Sequence, residues 1–253
     1  MIAEDFWFWF LAVLATLFVG SSKGGLPLIG TLAVPLMALQ ISPVVAAGLL
    51  LPVYIVSDIY GLWLYRKSYD LRNIKIVVPA ATIGILLGWA TVSITSDYLV
   101  TLFVGVIGIA YCADAVMKAR RVVAPRPADV PRGIFWGSIA GFTSFVSHAG
   151  GPPFQMYVLP QRLEKMVFAG TSTIIFAIIN LIKLPPYWFL GQVNLGSLRI
   201  ALMLAPIAII GAFVGYQLTK ILPEKAFYRF VEVALFLVSL KLIYDGFVGL
   251  TNG

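Results

Sequence analysis

One cysteine and one histidine among 253 residues leave little material for several kinds of chemistry. Cys112 alone closes no intrachain disulfide and builds no multi-cysteine metal or redox centre. Within an apolar run it reads as a small buried hydrophobe. A single histidine, His148, excludes a His-based metal cluster. The chain also lacks a Gly-rich phosphate loop ending in Lys-Ser/Thr and a His-Glu-x-x-His pair. No metal site, no cofactor and no enzymatic activity are therefore expected, and transport driven by ATP would need another subunit. Charge is scarce as well, at 11% of residues. The net balance of +7 does not imply nucleic acid, because Lys and Arg collect between apolar runs, where membrane orientation calls for them.

What the chain has in excess is apolar length. Hydrophobic residues make up 60% of it, more than a soluble domain of this size can bury. A helix needs about 20 mainly apolar residues to cross the hydrocarbon layer, and segments 44–65, 74–94, 98–117, 166–190, 198–221 and 226–248 qualify. They are apolar nearly all round and carry interior Gly and Pro, unlike the short alternating strands of a barrel. The expected fold class is an all-α polytopic membrane protein. Glu4 and Asp5 precede the first apolar run without a basic region or a cleavage site, so that run is expected to be retained structure rather than a signal peptide.

The chain also repeats itself. Lys23-Gly24-Gly25-Leu26-Pro27 aligns with Ala149-Gly150-Gly151-Pro152-Pro153, Ala47-Gly48 with Ala169-Gly170, Asp58 with Asn180, Asp70-Leu71 with Asn194-Leu195, and Gly84 and Gly88 with Gly211 and Gly215. The order is the same throughout. A single transport domain is expected, made of repeat one (1–117), a basic linker (118–132) and repeat two (133–253).

Each repeat opens with two shorter apolar arms broken at Gly-Gly, 6–22 with 26–39 and 133–148 with 152–160. At 1.5 Å per residue, arms of about 14 to 17 residues reach only about 21 to 25 Å, so they are expected to turn back before crossing. Pro27, Pro152 and Pro153 stand where a new helix would start, making each Gly-Gly a hairpin tip ahead of a helix N-terminus. Each half then has five membrane segments: one hairpin and three long helices. An odd number places the second half upside down. Loop charges agree: Arg66, Lys67, Arg72 and Lys75 fill one connection whose counterpart has only Arg199 near its end. The turn at 95–97 has no Lys or Arg, whereas its counterpart has Lys220, Lys225 and Arg229. By the positive-inside rule these matching loops lie on opposite sides, giving an inverted repeat with both termini outside. Such repeats are characteristic of secondary transporters, whose sites form where discontinuous helices meet near mid-membrane.

The stretches "SSKGGLPLIGTLAVP" and "SHAGGPPFQMYVLP", with "AGTS" at Ala169 to Ser172, resemble the TauE/SafE sulfite exporter-like permeases over nearly the whole chain. The resemblance implies movement of small sulfur-containing anions, such as sulfite, sulfoacetate or a related organosulfonate, across a bacterial-type inner membrane. It leaves open the particular anion, import or export, and the coupling. Repeat one has Leu49-Leu50 where repeat two has Thr171-Ser172, so the halves are not expected to contact substrate equally. The expected partners are the small anion, the lipid bilayer and, as an option, further copies of the chain.

The candidate substrate shell is Ser21, Ser22, Lys23, Gly24, Gly25, Ser147, His148, Gly150, Gly151, Gln155, Thr171 and Ser172. Unpaired N–H groups and the positive end of a helix dipole favour an anion at each tip, and Lys23 adds a full charge. The alternative is that Gly-Gly permits close packing while Lys23 snorkels to water. Asp58, inside a span, either carries a coupling proton, braces Lys23 or ties helices together with its isosteric counterpart Asn180. His148 carries protons, binds the anion or is simply packed. Lys183, three residues after Asn180, reads as snorkelling from near the outer boundary. An anion channel and, less favoured, a membrane-embedded enzyme using Asp58 and His148 are the competing functions.

Overall fold

The computed structural model describes residues 6–37, 39–41, 43–92, 96–118 and 125–252, and every regular element among them is helical. Glu4, Asp5, residues 119–124 of the basic linker and Thr95 lie outside the described residues. The helices are α1 (Phe6–Lys23), α2 (Ala33–Met37), α3 (Pro43–Leu64), α4 (Leu71–Thr91), α5 (Asp97–Lys118), α6 (Val130–Ser147), α7 (Gly151–Val158), α8 (Lys165–Phe189), α9 (Leu195–Ile221) and α10 (Glu224–Asn252). Short 3₁₀ turns at Ile29–Leu32 and Leu159–Gln161 precede α2 and follow α7.

Local chemistry sets several of these boundaries. The Asp129 carboxylate accepts the Arg132 N–H at 2.9 Å, and proline stands in the first turn of α6. A reciprocal capping box between Asn194 and Ser197 opens α9. Prolines at 52, 79, 185, 186 and 206 lie inside α3, α4, α8 and α9, as membrane helices tolerate when neighbours re-satisfy the freed carbonyls.

Six helices are long and apolar enough to cross a membrane: Phe6–Lys23, Val44–Leu64, Leu71–Thr91, Lys165–Phe189, Leu195–Ile221 and Glu224–Thr251. The first of these corrects an expectation. The 6–22 segment is not a short arm, because all 18 residues of α1 are helical and reach about 27 Å. The span expected at 98–117 coincides with α5, whose described apolar stretch is Thr101–Ala110. After the Gly-Gly pairs, the first arm holds only a 3₁₀ turn and the short α2 where 26–39 was expected, whereas α7 and the 3₁₀ turn after it cover the arm expected at 152–160. α2 has 5 residues and α7 has 8, only about 7 and 12 Å of rise.

Contacts divide the chain into two compact units, 1–70 with 165–223 and 71–164 with 224–253. In the first, α1 runs along α9, and α3 packs on α8 and α9. Gly20 and Gly211 let backbones meet there: a Cβ on Gly20 would stand 2.9 Å from Ala212 N, and one on Gly211 2.8 Å from Leu17 O. In the second, α4 runs along α6, α5 along α10, and α7 rests on α5 and α6. A Cβ on Gly84 would stand 2.8 Å from Phe142 N, and one on Gly141 2.6 Å from Ala81 Cα. Small residues thus supply the close backbone approach on which helix association in lipid depends. Each unit takes elements from both sequence halves.

Candidate functional site

α1 ends in Lys23 and the first Gly-Gly. Gly25 takes φ +116°, a conformation open to glycine and strained for other residues. Its N–H donates to Ser22 O, while Leu26 N–H donates to Ser21 O and Gly24 N–H to Gly20 O. Together these make a Schellman-type cap that satisfies the last carbonyls of α1. Here the structure corrects the sequence reading. No α-helix starts at Pro27, and the N–H groups of Gly24, Gly25 and Leu26 are engaged by α1 rather than presented to a ligand. α2, at 5 residues, begins only at Ala33.

The second Gly-Gly is built differently. His148 caps α6 in the left-handed region (φ 52°), its N–H donating to Thr143 O, and α7 starts directly at Gly151. Pro152 and Pro153 have no N–H, and Phe154 N–H donates to Gly150 O, so any backbone donors for an anion at this tip belong to Gly150 and Gly151. Gln155, fully buried in α7, has neither its amide oxygen nor its amide nitrogen hydrogen-bonded. Such a group is costly to leave unmet. It is the polar side chain in the second unit best suited to meeting a ligand.

The candidate hydroxyls are mostly committed as donors. Ser22 donates to Val19 O at 2.6 Å, Ser21 to Gly211 O at 3.3 Å, Ser147 to Thr143 O at 3.2 Å and Ser172 to Phe168 O at 2.8 Å. Thr171 Oγ1 accepts Asp70 N–H at 2.8 Å. Ser147, Ser172 and Ser22 follow the usual habit of helical serine, bonding back to a carbonyl three or four residues earlier.

Charge gathers in the first unit. Lys23 Nζ lies 2.8 Å from Asp58 Oδ1, and Asn180 Nδ2 donates to Asp58 Oδ2 at 2.8 Å. Asp58 on α3 therefore joins the end of α1 to α8, the aligned pair Asp58 and Asn180 meeting face to face. Lys183, one turn beyond Asn180, interacts electrostatically with both Asp58 and Lys23. All four side chains are buried, Lys183 with 0% exposure and Lys23 with 4%. Lys183 does not snorkel, because packing within the first unit buries it completely. Its spacing of three from Asn180 was the available signal. Aromatic faces surround the two ammonium groups: Lys23 Nζ is 5.2 Å from the Tyr54 ring and 5.9 Å from Phe176, and Lys183 Nζ is 5.3 Å from Tyr187. Thr173 Oγ1 donates to Lys23 O at 3.2 Å.

Two lysines therefore share one carboxylate in a site closed to water. In such a low-dielectric site an ammonium group is a strong donor to a guest anion. Lys23, Asp58, Asn180, Ser21, Ser22, Gly24, Gly25, Thr171 and Ser172 belong to this unit. Ser147, His148, Gly150, Gly151 and Gln155 belong to the other. Among the described residues no group of three His, Cys, Asp or Glu side chains is arranged to hold a metal ion.

Comparisons with curated proteins and with solved structures return no match. Residues 9–242 match the family model described as Sulfite exporter TauE/SafE, so this helical chain, with its six membrane-length apolar helices, belongs to that family of membrane transporters.

Proposed function

We propose that the chain is a secondary transporter of small sulfur-containing anions, such as sulfite, sulfoacetate or a related organosulfonate, across a bacterial-type inner membrane. The observation that carries the reading is the buried Lys23–Asp58–Asn180–Lys183 cluster, with two lysines beside one carboxylate. A small oxyanion meets that cluster through its lysines. Its oxygens accept charge-assisted hydrogen bonds from ammonium groups, and the aromatic faces tolerate an apolar organic tail. The first Gly-Gly positions Lys23 rather than offering N–H groups, and Gln155 with Gly150 and Gly151 is the second polar station. An anion leaving a cell whose potential is negative inside already gains about 2.3 kcal/mol per charge per 100 mV, so export needs no coupled ion. Purified protein is expected to bind at least one of sulfite and sulfoacetate saturably in calorimetric titrations. Absence of binding to both by folded protein refutes the reading.

The proposal includes a single transport domain of two inverted halves with both termini outside. Reciprocal packing supports it: α1 of the first half lies on α9 of the second, and the counterpart of that pair, α6 with α4, is also packed. The aligned Gly84 and Gly211 each meet the backbone of the helix opposite. In a Cys112→Ser background, Ser96→Cys is expected to react with an impermeant thiol reagent from outside, and Glu224→Cys only from inside. Labelling of both from the same side sinks the inverted arrangement.

A further inference from the structure

The first unit holds a pocket of about 470 Å³ where α3 ends and α9 passes, lined by Tyr60, Trp63, Arg66, Lys67, Phe213 and Tyr216 among others. Its lining carries two cations and no carboxylate. The volume lies within the range of small-molecule sites. Arg66 is held at the rim: Nη1 donates to Trp63 O at 2.6 Å, and the guanidinium sits 4.8 Å from the Trp63 ring, which in turn stacks on Tyr60 at 5.8 Å. That bond occupies one of the five guanidinium N–H donors. Because the pocket begins where the apolar span Val44–Leu64 stops, it belongs to the membrane–water boundary, where aromatic and basic residues are favoured.

The inner wall of this pocket is also the wall of the Lys23 tip. Tyr65, between the lining residues Leu64 and Arg66, is fully buried. Its ring meets Tyr216 edge-on at 5.5 Å, and its hydroxyl donates to Gly24 O at 2.5 Å. Gly24 abuts the same tyrosine: a Cβ there would stand 2.5 Å from Tyr216 N. One contact chain therefore runs from the basic rim through Tyr65 and Tyr216 to Gly24 and the buried Lys23.

We propose that this pocket is an antechamber that collects a small sulfur oxyanion at the Arg66–Lys67 rim and hands it past Tyr65 to Lys23. The inference rests on the reading that the chain carries such anions. Arg66 and Lys67 supply long-range attraction and a first oxyanion contact, and the aromatic walls receive an organic tail. With Lys23 buried and the Tyr65–Gly24 bond made, the passage is shut in this structure, so transfer requires that bond to open.

The test compares wild-type protein with the Arg66→Gln/Lys67→Gln double variant in proteoliposomes of zwitterionic lipid, measuring initial rates of sulfite and sulfoacetate flux against concentration and ionic strength. Both replaced side chains are exposed, and size-exclusion elution as wild type checks the fold. KM is expected to rise about tenfold at low ionic strength with kcat unchanged, and the difference is expected to vanish as salt screens the rim. If wild type transports but the double variant keeps the wild-type KM and salt dependence, the antechamber is wrong while the transport reading stands. If wild type moves neither anion, both fall. Repeating the series with anionic lipid separates a second source of oxyanion: a difference that emerges only when such lipid is present assigns the pocket to a headgroup and overturns the antechamber.

Discussion

Asp58→Ala is expected to be the most damaging single substitution in the membrane interior. It leaves Lys23 and Lys183 buried without the carboxylate they share and removes the acceptor of the Asn180 amide. Breaking a buried pair by deleting one partner costs about 3–5 kcal/mol, a large part of the roughly 5–15 kcal/mol that holds a folded domain together. The expected readouts are a markedly lower midpoint of thermal unfolding and a lower yield of monodisperse protein. Asp58→Asn is milder yet still costly. Lys23 and Asn180 approach different oxygens of the carboxylate, so the amide NH₂ that replaces one of them must face a donor. The exchange variant Asp58→Asn/Asn180→Asp restores one carboxylate to the cluster and is expected to recover most of the stability. It also separates structure from coupling. If the Asp58 carboxyl carries a proton, Asp58→Asn loses accumulation driven by a pH gradient while exchange of substrate persists. A wild-type unfolding midpoint for Asp58→Ala contradicts the structural role, and undiminished gradient-driven accumulation in Asp58→Asn contradicts the coupling role.

Lys23→Ala is expected to act on affinity more than on folding. Asp58 keeps its bond from Asn180, so part of its pairing survives. What is lost is a charge-assisted contact to the anion, worth about 1.5–3 kcal/mol. At about 1.4 kcal/mol per tenfold, that weakens sulfite or sulfoacetate binding by about ten- to a hundredfold. Lys23→Arg keeps the charge but brings a planar fork into a site shaped for a compact ammonium, so it is expected to fall between wild type and Lys23→Ala. The contrast between the two positions is diagnostic: loss at 58 reads as unfolding and loss at 23 as affinity. An unchanged binding isotherm in folded Lys23→Ala removes Lys23 from the substrate site.

Much of this arrangement was legible in the sequence because membrane physics leaves few choices. Long apolar runs have to become helices, and five of the six expected spans coincide with helices long and apolar enough to cross. The alignment of Asp58 with Asn180 named two residues that meet at 2.8 Å, although nothing in their spacing said that they touch. The readings that failed turned on how a chain leaves a helix. Gly-Gly-Leu-Pro and Gly-Gly-Pro-Pro look alike, but the first caps α1 through Gly25 and continues as a turn. In the second, His148 takes the left-handed position and α7 starts at once. Backbone hydrogen bonding decides between these outcomes, and residue types alone do not state it. Lys183 was misplaced because the sequence does not state which face of this span is packed. α8 covers the expected 166–190 span almost entirely, and the lysine within it is fully buried.

Counterflow in proteoliposomes tests the central claim most directly. Vesicles holding the purified protein are loaded with unlabelled sulfite or sulfoacetate and diluted into a trace of the radiolabelled anion. Alternating access past a buried cationic site predicts transient, saturable accumulation of label for at least one of these anions, lost in Lys23→Ala. A channel gives flux without saturation or trans-stimulation. Absence of labelled exchange for both anions in vesicles of folded protein contradicts the account.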